Sequence, residues 1–340
     1  MKVAFYTLGC KVNTYETMSV KEQFEQRGYT IVDAKAFADV YVVNTCTVTN
    51  NADSKSRKMI RRMNRQNPDA VVAVMGCYAQ MDPETISKID GVDIIMGTTH
   101  RDQLIEHVES VLNDRLQIQA IDDVASYRAF DELHVSHYLD HTRAFIKIQD
   151  GCNNFCSYCI IPYARGRVRS RPYSDVINET KTLIKNGYKE IVLTGIHTGG
   201  YGSDLDVSFY DLLKGLSQLE GLKRLRISSI EINELSDDIL TLIKENTVFA
   251  RHLHIPLQSG SNAVLKDMRR HYTKEDYLRR IQAIRALIPD IAITTDIIVG
   301  YPTETKERFE EMVDFVKTCA FTEMHVFPFS KRNGTKAAQY

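Results

Sequence analysis

The chain has 340 residues, 43% of them hydrophobic and 26% charged, which is long enough for about two domains with cores of their own and excludes a disordered or fibrous protein. Lys and Arg number 43 against 44 Asp and Glu, a formal net charge of -1, so the chain lacks the overall basic balance of a protein that grips nucleic acid by charge alone. No apolar run is long enough for a bilayer, and the opening MKVAFYTLGCKVN has neither the apolar core nor the cleavage site of a signal peptide, so a cytoplasmic location with no membrane partner is expected.

Short apolar strands alternate with amphipathic helices through the first third. Strands are expected at Val3 to Leu8, Val40 to Asn44, Val71 to Met75 and Val92 to Met96, with helices at Tyr15 to Arg27, Asp53 to Gln66, Pro83 to Ile89 and Gln103 to Leu112. This alternation predicts an open parallel sheet covered on both faces, a flavodoxin-like α/β domain over residues 1–112. The basic residues Lys55, Arg57, Lys58, Arg61, Arg62 and Arg65 fall mostly on the polar face of the second helix, where a solvated surface is the expected role. Residues 113–141 are weakly periodic and are expected to connect two domains.

From residue 142 to 340 the rhythm resumes. Strands are expected at Ala144 to Ile148, Glu190 to Thr194, Arg224 to Ser228, His252 to Pro256, Ala292 to Ile298 and Met324 to Pro328, with helices between them. Six β/α units predict a partial (β/α)6 barrel, whose active site would lie at the carboxyl ends of the strands. The strand-end segments TGIHTGGYG from Thr194, SSIE from Ser228, HIPLQSGS from His254 and TTDIIVGYPTET from Thr294 carry the hydroxyl, amide and carboxylate groups that can fix a small cofactor, although any one of them alone reads more readily as an ordinary turn.

Seven cysteines in such a chain point to metal or redox chemistry more than to disulfides. Cys152, Cys156 and Cys159 stand as C-x3-C-x2-C in the loop after the first barrel strand, three thiolates that can hold three corners of an iron-sulfur cube and leave its fourth iron open. Zinc is the competing reading, but it wants a fourth ligand, and His137, His141 and His197 lie in no zinc-like register. Cys10, Cys46 and Cys77, in TLGC, VVNTC and VMGC, each follow the end of a different strand, the edge of a parallel sheet where ligands bind. Three buried thiols packed as small hydrophobes are the alternative there, and Cys319 is expected to be a buried structural thiol. Arg165, Arg167, Arg169 and Arg171 alternate just past the three-cysteine loop. On an extended segment their guanidinium groups would share one side, as RNA phosphate contacts or as a solvated strand face.

Taken together, TLGC, NTC and MGC followed by GCNNFCSYCIIPYARGRVRSR, HIPLQSGS and FPFSKRNGT resemble the radical S-adenosylmethionine (SAM) methylthiotransferases along essentially the whole chain. The opening TLGCKVNTYE is similar to the branch acting on N6-threonylcarbamoyladenosine in tRNA, where the isopentenyladenosine branch usually opens with GCQMN and the ribosomal-protein branch with GC-x-KN-x-x-DSE. The resemblance implies two [4Fe-4S] clusters: one on Cys152, Cys156 and Cys159 that cleaves SAM to a 5'-deoxyadenosyl radical, and an auxiliary one on Cys10, Cys46 and Cys77 that carries the sulfur to be transferred. It further implies SAM contacts at Tyr158, Gly195, Ser228, Glu231, Gln258 and Val299, and attack at C2 of adenosine 37 in the anticodon loop. The implied partners are tRNA and an electron donor such as flavodoxin or ferredoxin. An unactivated aromatic C–H has no useful acidity, so a cofactor must carry the hard step. Family members usually continue into a small RNA-binding β-barrel, and FPFSKRNGTKAAQY ends this sequence before one. Methylthiolation of a ribosomal protein or of isopentenyladenosine tRNA, and a zinc-bearing RNA-binding module without catalysis, are the competing functions.

Overall fold

The computed structural model describes residues 1–114, 116–138 and 142–340. Contacts divide it into two units: Met1–Asp140 with Asp150–Cys152 and Ile160–Arg169, and His141–Gln149 with Asn153–Cys159 and Ser170–Tyr340. His141, weighed above as a zinc ligand, lies outside the described residues.

The first unit runs β1 (Lys2–Thr7), α1 (Lys11–Gln26), β2 (Thr30–Val32), β3 (Val40–Thr45), α2 (Asn50–Gln66), β4 (Val71–Gly76), α3 (Cys77–Met81), α4 (Pro83–Ser87), β5 (Ile94–Met96), α5 (Leu104–Asp114) and β6 (Ile118–Ala120). Among the described residues the strands form one parallel sheet in the order β2-β1-β3-β4-β5-β6, the flavodoxin-like order extended by one strand. Both faces are buried because successive side chains of each strand enter different cores. Val40, Val42, Val71 and Ala73 pack with Val20 and Phe24 of α1 and Val108 of α5, while Tyr41, Val43, Val72 and Val74 pack with Ile60 and Met63 of α2. The strands β2 and β6 were not anticipated, and β6 falls in the segment expected to be connecting chain. Each has three residues at a sheet margin and none of them buried, so neither carries a periodic signal.

The second unit holds six successive parallel strands: β7 (Ala144–Asp150), β9 (Glu190–Gly195), β10 (Arg224–Ile227), β11 (His252–His254), β12 (Ala292–Val299) and β13 (Glu323–Pro328). Between β7 and β9 come α6 (Ile161–Arg165), the two-residue β8 (Arg169–Ser170) and α7 (Tyr173–Lys185); α8 (Phe209–Ser217), α9 (Asp237–Glu245), α10 (Asn262–Asp267), α11 (Lys274–Leu287) and α12 (Lys306–Cys319) follow in the later connections. Hydrogen bonding gives sheets β10-β9-β7-β8 and β11-β12-β13. Leu225 N–H to Val248 O at 2.8 Å and Ile230 N–H to His254 O at 3.0 Å tie the two across the β10 to β11 gap, completing the partial barrel. Among the described residues no helix is long and apolar enough to cross a membrane.

The expected extended run from Arg165 to Arg171 is not what forms. Arg165 ends α6, Gly166 turns the chain at φ +74°, and only Arg169 and Ser170 are strand, so the guanidinium groups do not share a face.

Candidate active site

Cys10, Cys46 and Cys77 follow β1, β3 and β4, three adjacent parallel strands, at their carboxyl ends. The order of the sheet reverses between β1 and β3, and that switch point is where open α/β sheets bind ligands. Cys10 is the exposed N-cap of α1, Cys46 is half-buried and Cys77, the first residue of α3, is buried. Gly76 delivers Cys77 to this edge from a backbone at φ +101°, where a Cβ would sit 2.5 Å from Asn44 Oδ1 and 2.7 Å from Thr45 O. Asn13 organises the ends of β1 and β3: its Nδ2 donates to Asn44 Oδ1 at 2.9 Å and Thr45 O at 3.1 Å, and its Oδ1 accepts from Cys10 Sγ at 3.2 Å.

The thiols are mutually sensitive. Burial pushes Cys46 up, and Cys10 pushes it further against the lowering effect of the Val48 backbone and Arg165. Burial pushes Cys77 up to about 12, Arg165 opposes this, and Cys46 and Cys10 add to it. Each of the three that ionises makes its neighbours harder to ionise, as three sulfurs gathered at one sheet edge would, and a cationic cluster core would relieve that. Among the described residues no three His, Cys, Asp or Glu side chains converge where a single ion would sit. A cube does not require such convergence, because each thiolate binds a different iron.

Arg165, read above as a phosphate contact or part of a solvated face, is instead fully buried in this unit. Its Nη1 lies 2.7 Å from Glu16 Oε1 and 3.1 Å from Asp150 Oδ2, and its Nε donates to Cys77 Sγ at 3.2 Å. Arg169 is buried as well, with Nη1 donating to Arg165 O at 2.8 Å and its guanidinium over the Tyr127 ring. In the second unit Arg171 is buried, 2.7 Å from Glu179. These three are therefore not surface phosphate contacts, since Glu16, Asp150, Glu179 and the carbonyl of Arg165 hold them inward. Arg167 alone of the four is exposed.

The C-x3-C-x2-C loop leaves β7. Cys152 is held by its N–H to Gly166 O at 3.0 Å, while in the second unit Cys159 N–H reaches Cys156 O at 2.9 Å. Between Cys156 and Cys159, Ser157 Oγ bonds Asp267 O at 2.7 Å and Tyr301 Oη at 2.8 Å, so the loop is tied to α10 and to the turn after β12.

A cavity of about 180 Å³ in the second unit is lined by Asn154, Cys156, Glu231, Asn233, Arg270 and Tyr272 among others. Arg270 Nη1 donates to Cys156 Sγ at 3.4 Å, its Nη2 pairs with Glu231, and its guanidinium lies over the Tyr272 ring. Burial works against its charge, but the Glu231 carboxylate paired with it opposes that, so the guanidinium stays protonated. Burial pushes the half-buried Tyr158 well up, against Arg270, so it stays a neutral phenol. Of the residues the resemblance assigns to SAM, Gly195 ends β9, Ser228 follows β10, Glu231 lies in the next turn, Gln258 sits past β11 at φ +68° and Val299 ends β12, all at carboxyl ends of strands. Ser228 Oγ is buried with no hydrogen-bond partner, an orphan that a bound polar group would satisfy. The site therefore fits SAM. Arg270, Asn13, Glu16 and Asp150 were not anticipated, since single polar residues with no motif of their own give no local signal.

Residues 2–97 match the model of the Uncharacterized protein family UPF0004, and residues 146–316 match that of the Radical SAM superfamily. The chain is 50% identical over 339 residues to the threonylcarbamoyladenosine tRNA methylthiotransferase MtaB of Bacillus subtilis (strain 168), covering 99% of this chain and 75% of that protein. The corresponding protein of Aquifex aeolicus (strain VF5) is 41% identical, with 100% of this chain and 83% of the relative covered. A tRNA-2-methylthio-N(6)-dimethylallyladenosine synthase of Clostridium tetani (strain Massachusetts / E88) is 39% identical over 97% of this chain and 74% of its own. In fold, the chain matches the radical SAM methyltransferase TsrM of Kitasatospora setae, with TM-score 0.67 at 17% identity over 96% of this chain and 72% of that one.

A parallel α/β unit joined to a partial barrel with this cysteine loop defines a radical SAM enzyme. The chain belongs to the radical SAM methylthiotransferase family, on its MtaB branch, and the cofactors of that family are SAM and two [4Fe-4S] clusters. Membership overturns the reading as a non-catalytic zinc module.

Proposed function

We propose that the chain converts N6-threonylcarbamoyladenosine at position 37 of tRNA to its 2-methylthio derivative, with Cys152, Cys156 and Cys159 holding the SAM-cleaving cluster and Cys10, Cys46 and Cys77 the auxiliary one. The second trio of thiols, at the ends of three adjacent strands, carries the reaction type. A radical SAM enzyme that only abstracts hydrogen has no need of it. When bound, SAM and its cluster supply the hydrogen-abstracting radical and the auxiliary cluster supplies the sulfur.

The chain's own residues do the positioning. Ser228, Glu231 and the strand-end backbone at Gly195 and Val299 would hold SAM, with Glu231 an acceptor for its amino group and Arg270, paired with Glu231, a cation for its carboxylate. Tyr158, within the cluster loop, packs against the core of Val264, Met268 and Tyr301. Arg167, the exposed one of the four arginines, is the candidate for an anticodon-loop phosphate. A cytoplasmic location and an electron donor of flavodoxin or ferredoxin type go with this reaction.

The substrate reading rests on the 50% and 41% identical relatives, and the 39% identical Clostridium tetani protein favours dimethylallyladenosine as the second reading. Nucleoside analysis of tRNA from a strain lacking the gene decides. Loss of 2-methylthio-N6-threonylcarbamoyladenosine supports the proposal, whereas loss of the dimethylallyl nucleoside or an unchanged profile refutes it.

A further inference from the structure

Behind Cys77 lies a buried set of charges that the reaction scheme does not use. Arg165 Nε donates to Cys77 Sγ at 3.2 Å while its Nη1 and Nη2 face Glu16 at 2.7 and 3.1 Å and Nη1 faces Asp150 at 3.2 and 3.1 Å. Glu16 is shared with Arg101, whose Nη2 lies 3.2 Å from it and whose Nη1 is 2.7 Å from Asp131. Arg169 Nη2 stands 3.7 Å from Asp150. Arg101, Arg165 and Glu16 are all fully buried, so three guanidinium groups and three carboxylates balance beyond the reach of bulk water.

We infer that Arg165 is a positioning residue for the auxiliary cluster: a fixed N–H donor to the Cys77 sulfur, held by Glu16 and Asp150, that raises the cluster's reduction potential. Two physical effects act in the same direction. An N–H bond to a ligand sulfur withdraws electron density from it, and a nearby positive charge favours the reduced, more negative cluster. Burial strengthens both, because little water screens them. An arginine keeps its proton throughout the working pH range, and the Glu16 and Asp150 carboxylates on its fork offset the burial of its charge. A surface arginine would waver among partners. This one has its fork filled on both sides, leaving Nε for the sulfur.

The inference rests on the assignment of Cys10, Cys46 and Cys77 as cluster ligands, and the test separates the two. The full chain carrying Cys152→Ala, Cys156→Ala and Cys159→Ala is reconstituted anaerobically, so that only the auxiliary cluster contributes to iron, sulfide and the EPR signal. If this parent holds no iron, the ligand assignment fails and the inference fails with it. In the loaded parent, Arg165→Lys keeps the charge but loses the planar Nε–H. It is expected to retain iron and sulfide and to shift the midpoint potential downward, by about 59 mV for a tenfold change in the reduced-to-oxidised ratio. Glu16→Gln keeps one acceptor oxygen on the Arg165 fork with Asp150 beside it, and removes one of the three carboxylates, so it is expected to shift the potential upward. It also serves if Arg165→Lys does not fold. An unchanged potential in either loaded variant, or shifts of the same sign in both, overturns the inference.

Discussion

Gly76→Ala isolates the geometry that presents Cys77. At φ +101° and ψ -161° a side chain is strained by about 1–3 kcal/mol before any neighbour is counted. The new Cβ also lands 2.5 Å from Asn44 Oδ1, 2.7 Å from Thr45 O and 3.1 Å from Thr45 N. Two of those atoms are backbone of β3 and cannot swing aside, so crowding adds about 1–3 kcal/mol. The expected loss is about 2–6 kcal/mol, read as a fall in the urea midpoint at unchanged slope. Gly28→Ala is the control, because Gly28 has φ +87° with nothing within 4 Å of its Cβ position and so incurs only the left-handed strain, about 1–2 kcal/mol. Gly76→Ala should also lower iron at the first trio, as Cys77 is pushed off the sheet edge. Equal losses in the two variants would refute the steric reasoning, and full iron in Gly76→Ala would refute its link to the site.

Cys10→Ala is expected to leave reductive SAM cleavage measurable while stopping sulfur insertion, and Cys156→Ala to abolish both; equal loss of cleavage would show the roles of the two trios to be misassigned. Ser228→Ala removes a buried hydroxyl with no partner among the described residues, so stability should hold or rise while SAM binds about fivefold more weakly for the loss of about 1 kcal/mol. Calorimetric titration with SAM checks this, and an unchanged Kd contradicts it. Burial pushes Cys319 up to about 12 from 9.0, with Arg285 opposing. The unfolded chain then loses this proton first. The contribution is complete below pH 9 and is lost as pH rises from 9 to about 12, and Cys319→Ala should flatten the alkaline fall in stability over that window.

The cysteine trios were legible in the sequence because chemistry constrains them locally: C-x3-C-x2-C needs only its own spacing, and TLGC, VVNTC and VMGC each close a strand whose apolar run is visible. The parallel α/β architecture followed from the same rhythm, but β2 and β6 did not, since their three-residue edges bury too little to leave a pattern. The arginine run misled for a non-local reason. Its alternation is that of an exposed strand, but α6 and Gly166 interrupt it, and Arg165 meets Glu16, a residue 149 positions away. Arg270 was equally unreadable, since its contact with Cys156 spans 114 positions and depends on the turn after α10 bringing it under the cluster loop.

Iron and acid-labile sulfide per chain, measured after anaerobic reconstitution of the parent and of two triple-alanine variants, test the account most directly. With two cubes, the parent should hold about eight irons, and Cys10/Cys46/Cys77 and Cys152/Cys156/Cys159 replaced in turn should each leave about four. About four irons in the parent, or no loss on replacing Cys10, Cys46 and Cys77, would contradict it.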